Sequence, residues 1–264
     1  MAHGVAIGDR TLAASLADRV WPTSLAAERQ LLVLPPLAPL LSGGGLQAGS
    51  TVAVDAAPGA TGATSLALAL AVGQSQNGSW VAGVGLGSLG LVAAAELGVV
   101  LGRLVLVADP NGELGGGRGA WASVIGALVD GFDVVLVGPA SRRRLRASDA
   151  RRLVGRARER GAVLVGVGGG LAGGRSTVCL TVTAGAWEGL GAGWGHLQGR
   201  RATIEATGRG PAARPRRANL WLPAATGGIE PVEPVTDPTP LPRVRRAARD
   251  ERSIDRTRGR REVS

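Results

Sequence analysis

The chain has 264 residues and a formal net charge of +10, with 30 basic residues, every one an arginine, against 20 acidic ones. Its length suits one main domain with appendages, and its single cysteine, Cys179, excludes an intramolecular disulfide and any multi-cysteine metal site. Hydrophobic residues make up 45% of the chain but aromatic ones only 3%, so a core has to be assembled from Ala, Val and Leu.

At the N-terminus, over 1–29, Thr11 is placed to cap a short helix in which Leu12, Leu16 and Val20 recur at helical spacing and which Trp21-Pro22 ends. Asp9, Arg10, Asp18 and Arg19 interrupt this stretch and argue against a signal peptide. Residues 56–95 carry no charge, yet Gly, Ser, Gln, Asn and Pro divide them into pieces shorter than the ~20 apolar residues of a membrane span. The expectation is a soluble, cytoplasmic protein without membrane contact.

From residue 30 the pattern alternates. The strand "STVAVDA" leads through the loop "AAPGATGATS" into the helix "TSLALALAVGQ", and "SWVAGVGL" and "LGLVAAAELGV" repeat the unit. "RLVLVA", the glycine-rich "NGELGGGRG", "AWASVIGALVDG" and "FDVVLVG" follow, then a helix "DARRLVGRARER" with Ser148 as its cap and Gly161 at its end, and the apolar strand "AVLVGVG". Short apolar runs alternating with helices predict an α/β fold whose mostly parallel sheet is covered on both faces. Beyond Gly174 two strand-like runs and "ANLWLP" read as added antiparallel edge strands. Residues 224–242 are rich in Pro, Thr and acids and read as a linker, and 243–264, with nine arginines, reads as a disordered basic tail.

The loop after the first strand stands where a phosphate cradle would. A working P-loop, GxxxxGK[ST], uses backbone N–H groups for the phosphates, the lysine for their charge and the hydroxyl for magnesium. Here Gly62 and Thr64 stand in register, whereas Ala57 replaces the first glycine and Ala63 the lysine. A charge-assisted hydrogen bond is worth roughly 1.5–3 kcal/mol, so the loss of lysine weakens nucleotide binding by about one to two orders of magnitude. Hydrolysis further needs carboxylates at the carboxyl ends of strands. Residues 56–95 contain none, and Asp133 opens its strand while Gly138 closes it. The loop therefore reads as a vestigial, structural turn, with no cofactor and no metal.

This order of elements resembles the RecA ATPase core and, more closely, its inactive relatives, the actinobacterial ImuA-prime proteins of the mutagenic translesion system. The likeness covers about residues 30–222 and is carried by "LLSGGGLQAGSTVAVDAAPGATGATSLALAL", "LVAAAELGV", "RARERGAVLV" and "AWEGLGAGWGHLQGRR". The RecA pattern would place a catalytic glutamate at Leu86 and a magnesium-organising aspartate at Gly138, so with Ala63 all three chemical positions are empty. The resemblance implies a degenerate RecA-like domain over 30–223 and a non-enzymatic accessory role in DNA-damage-induced translesion synthesis. Its implied partners are an inactive Y-family-like polymerase homologue of ImuB type and, through it, an error-prone C-family DNA polymerase, with nucleoid association on damage. Two alternatives stay open: a nucleotide-binding RecA-family protein in which an arginine replaces the lysine, and a SulA-like inhibitory binding protein.

Basic charge is confined to two places. Residues 142–160 carry nine arginines against Asp149 and Glu159, and the tail carries the other nine-arginine cluster. Arg142, Arg143, Arg144, Arg151, Arg152 and Arg156, with Arg243, Arg245 and Arg246, are the contact candidates for DNA or for the polymerase homologue. Elsewhere, His196 is isolated in a glycine-rich turn, Cys179 reads as a core residue, and Trp187, Trp194 and Trp221 read as packing against the edge strands, with a partner surface as the alternative.

Overall fold

A computed structural model describes residues 30–107, 119–171, 176–191 and 193–232. The expected N-terminal helix, the "NGELGGGRG" loop except its last glycine, and the basic tail with Arg243, Arg245 and Arg246 lie outside these residues.

The chain enters through a short antiparallel pair, β1 (Gln30–Leu31) and β2 (Leu46–Gln47), around two 3-10 turns at Pro35–Leu40 and Ser42–Gly44. It then builds β3 (Thr51–Ala56), α1 (Ala63–Gln76), β4 (Val81–Val84), α2 (Leu91–Glu96), β5 (Leu104–Val107), α3 (Ala120–Gly131) and β6 (Val134–Val137). Next come α4 (Pro139–Arg144), α5 (Ala147–Arg160), β7 (Val163–Val167), β8 (Val178–Leu190), β9 (Gly195–Gly208), β10 (Arg216–Trp221) and β11 (Glu230–Pro231). A nine-stranded sheet runs in the order β11-β10-β9-β8-β3-β7-β6-β4-β5.

From β8 to β5 every neighbouring pair is parallel; from β8 outward to β11 every pair is antiparallel. This corrects one expectation. The run after Gly174 is not an edge strand: β8 lies beside β3 in the middle of the sheet, parallel to it, and only β9 to β11 are antiparallel additions.

Alternate residues of the short strands point to two separate cores. Val81, Val134, Leu136, Val163 and Val165 meet α1 on one face, and Ala82, Val84, Val135, Val137 and Leu164 meet α3 and α5 on the other. Burial on both sides is why these strands are continuous apolar runs. Residues 66–72 of α1 are all buried, because β1 and its following turn cover the helix from outside. Gln74 Nε2 donates to the Leu32 carbonyl at 3.3 Å, and Gly73 lies so close to that carbonyl that a Cβ would fall 2.7 Å from its oxygen.

Smaller differences have local causes. Arg146, without a side-chain cap, begins α5 in place of Ser148, which is exposed one residue inside the helix; Gly161, at φ 76°, ends it as expected. Cys179 is half-buried on β8, its Sγ 3.9 Å from the Thr181 hydroxyl, since its face of the strand is covered only in part. Composition placed the linker from Ala224, but Ala224 and Ile229 are buried and β11 pairs with β10, so the sheet continues past residue 223.

Candidate functional site

The loop between β3 and α1 is closed by its own chain. The Ala57 N–H donates to the Val182 carbonyl of β8 at 2.9 Å, and the Ala60 N–H turns back to the Ala57 carbonyl at 2.9 Å. Gly62, at φ 118°, turns the chain into α1, whose N-terminus has no side-chain cap and so leaves its first amides without intrahelical partners. Ala60 and Ala63 pack against the core. Position 63 therefore offers a phosphate only a half-buried methyl group and no charge.

Charge reaches this loop from a residue that the motif does not contain. Arg200 of β9 is 5% exposed, and its Nε donates to the Leu222 carbonyl at 2.8 Å. Its Nη1 approaches the Thr61 hydroxyl at 3.5 Å, and its Nη2, buried without a hydrogen-bond partner, lies 2.6 Å from where a Cβ on Gly62 would stand. The guanidinium carbon is 5.2 Å from the centre of the Trp187 ring. Burial pushes the Arg200 guanidinium below the usual arginine range, although an arginine remains charged throughout physiological pH.

The two strand ends where the resemblance would place catalytic carboxylates carry no acidic residue. Leu86 packs against the core. A Cβ on Gly138 would collide with the Gly85 carbonyl group, 2.6 Å from its carbon, and with Leu86 Cδ2 at 2.9 Å. Ser141 Oγ, entirely buried, donates to the Val84 carbonyl at 2.9 Å and locks α4 over the end of β4. The one carboxylate at the carboxyl end of the central strand is Asp55, which accepts the Ala56 N–H at 2.8 Å. Among the described residues no group of three His, Cys, Asp or Glu side chains is gathered as a metal site.

The arginine cluster separates into two sets. Arg142 points inward, where Nη2 donates to the Gly168 carbonyl at 2.6 Å and Nη1 to the Gly170 carbonyl at 3.3 Å, tying α4 to the turn after β7. It serves the fold, contrary to its reading as an external contact. Arg156 and Arg160 both pair with Asp130 of α3, and the Arg156 hydrogen bond holds the Asp130 carboxyl below its ordinary value of 3.8. Arg143, Arg144, Arg151 and Arg152 are exposed.

The β8–β9 hairpin projects past Val182, where β3 stops pairing. It exposes Trp187 at 44% and Trp194 at 76%, together with Leu190 and Leu197. The expected packing against the edge strands is met in part: Trp187 stacks on Arg200 of β9 but stays exposed, Trp221 is half-buried with Arg201 on its ring, and Trp194 is largely exposed. A groove of about 630 Å³ runs between this hairpin and α2, lined by Ala93, Leu97, Trp187, Leu197 and the 223–227 turn. Leu91 and Val92 of α2 are exposed beside it. Isolated His196 is exposed on the same hairpin.

Two residues escaped the sequence reading. Arg200 was legible in principle, since the alternation Arg200, Ala202, Ile204, Ala206 puts it on the buried face of β9, where a charge needs partners. Asp55 lies one residue before the uncharged stretch in which carboxylates were sought.

A family model described as MT3502 N-terminal domain matches residues 39–173, a segment that holds the β3–α1 loop and the α4–α5 arginines and stops before the hairpin. An uncharacterized protein of Mycobacterium tuberculosis, Rv3395c, is 34% identical over 130 residues, 49% of this chain and 52% of the relative. The chain thus spans about half the length of the curated relative it matches.

Proposed function

The chain belongs to the MT3502 N-terminal domain family, and we propose, from its sequence resemblance and its site, that it is a non-catalytic, RecA-like assembly protein of DNA-damage-induced, error-prone translesion synthesis. Its role is to bridge an inactive Y-family-like polymerase homologue of ImuB type and, through it, an error-prone C-family polymerase. The translesion context comes from the sequence resemblance. The observation that supports the non-catalytic reading is the character of the three chemical positions: Ala63 and Leu86 are half-buried apolar residues packed against the core, and Gly138 stands so close to the Gly85 carbonyl that it has no room for a side chain. A protein that keeps the fold without this chemistry retains the fold's surfaces.

The surface that suits a protein partner is the groove between α2 and the hairpin. Exposed Trp187 and Leu197 line it, the same hairpin exposes Trp194 and Leu190, and α2 exposes Leu91 and Val92; exposed apolar surface of this kind marks interaction sites. Aromatic anchors dominate binding energy at such interfaces. Co-elution of the full chain with the polymerase homologue on size exclusion tests the reading. The natural protein is expected to co-elute and a Trp187→Ala/Trp194→Ala variant to lose at least tenfold in affinity. Absence of a complex with the natural protein would reject the assembly role.

A second reading has one observation in its favour. Arg200 brings a positive charge with a free buried donor to the turn before α1, which is the charge that a lysine-less cradle lacks. Nucleotide binding supported by this arginine would make the protein a nucleotide-responsive switch.

A further inference from the structure

Nine arginines between residues 142 and 160 look alike in the sequence, but the fold uses three of them internally. Arg142 is bound to backbone carbonyls, and Arg156 and Arg160 are bound to Asp130. Arg143, Arg144, Arg146, Arg151, Arg152 and Arg158 are exposed and make no ion pair among the described residues. We propose that these six arginines form a face that binds the phosphate backbone of double-stranded DNA without regard to sequence.

The face is rigidly held. Ala150, Leu153 and Ala157 bury the other side of α5 against α3 and β7, and the Arg158 backbone packs on Gly49, whose Cβ would fall 2.9 Å from the Arg158 Cα. Arg151 and Arg158 are two helical turns apart, about 10 Å along the axis on the same side. Six guanidinium groups stand here with only Asp149 and Glu159 as acids on their own two helices. Their mutual repulsion is relieved by a partner of dense negative charge, and the planar fork of each guanidinium matches a phosphate.

The chemistry of the surroundings selects among polyanions. None of the exposed large hydrophobic residues lies between 139 and 160, so these two helices contribute no apolar centre of the kind a protein interface has. The two helices also carry no aromatic residue, whereas the bases of single strands stack on aromatic rings. Contacts confined to phosphate give position and affinity without base readout. This inference stands apart from the assembly reading, which depends on the opposite, apolar surface.

The test is fluorescence anisotropy of the full chain on an arbitrary duplex over a range of salt. Each phosphate contact contributes about 0.9 to the slope of log affinity against log salt. Arg151→Ala/Arg152→Ala/Arg158→Ala is expected to lower the slope by about 2–3 relative to the natural chain, while the corresponding lysine variant keeps most of it. A second variant, Arg143→Ala/Arg144→Ala/Arg146→Ala, is expected to act the same way and guards against misfolding of the first, as do thermal melts of both. An unchanged slope in both variants overturns the proposal. So does competition by poly-glutamate as strong as that by duplex, which would assign the face to an acidic protein, or a preference for single strands over duplex.

Discussion

Trp187 and Arg200 face one another across the β8–β9 ladder, with the guanidinium carbon 5.2 Å from the centre of the indole ring. The pair joins the two features on which the functional reading depends, since Arg200 closes the loop before α1 and Trp187 opens the apolar groove. Arg200→Ala would strip the Leu222 carbonyl of its donor and leave a void under Thr61 and Gly62. The expected loss is about 1–3 kcal/mol of stability, read by urea denaturation. Trp187→Ala, on the exposed side, is expected to cost about 0.5–1 kcal/mol. Equal, negligible effects from both would mean that the pair holds nothing together.

Gly138 is expected to resist any side chain. Gly138→Asp would put an acidic residue where the resemblance to the RecA core expects one, but its Cβ would meet Gly85 and Leu86. Overpacking of this kind costs about 1–3 kcal/mol, so the variant should melt at lower temperature than the natural chain and gain no magnesium affinity. An unchanged melting temperature would show that the end of β6 has room for chemistry.

Arg142 and its neighbours should separate cleanly in stability measurements. Arg142→Ala deprives the Gly168 and Gly170 carbonyls of donors and is expected to destabilise by about 1–3 kcal/mol. Arg143→Ala and Arg144→Ala, both exposed, are expected to fall within about 0.5 kcal/mol of the natural protein.

Asp130 sets a small acid dependence. The Arg156 hydrogen bond lowers its folded pKa below the ordinary 3.8, with further charge attraction from Arg156 and Arg160. Because the folded value lies below the unfolded one, the contribution is fully present above the ordinary Asp range and is lost as pH falls through the folded value. The groups facing it are the guanidinium groups of Arg156 and Arg160. An NMR titration should place Asp130 below a typical aspartate. In Asp130→Asn the difference in stability from the natural protein should vanish in strong acid, and a difference that grows on acidification would reverse the assignment.

The alternation of apolar runs and helices made the parallel core legible, because strands buried on both faces have to be continuous runs of Val, Leu and Ala. The place of β8 was not legible. Its sequence alternates like a half-exposed strand, since one part pairs with β3 and the rest projects as a hairpin, and composition cannot tell where a neighbour stops. The absence of the lysine at 63 was readable from the motif, whereas the arrival of Arg200 from a strand far along the chain was a product of topology. The arginines of 142–160 were visible as charge, but only three-dimensional pairing separates Arg142, Arg156 and Arg160 from the others.

The central claim, that the chain keeps this fold without its nucleotide chemistry, is tested most directly by calorimetric titration of the purified full chain with ATP and magnesium. No heat of binding up to millimolar ATP is predicted, in the natural protein and in Arg200→Ala alike. Micromolar binding that disappears in Arg200→Ala would contradict the claim and make the arginine at the loop a phosphate ligand.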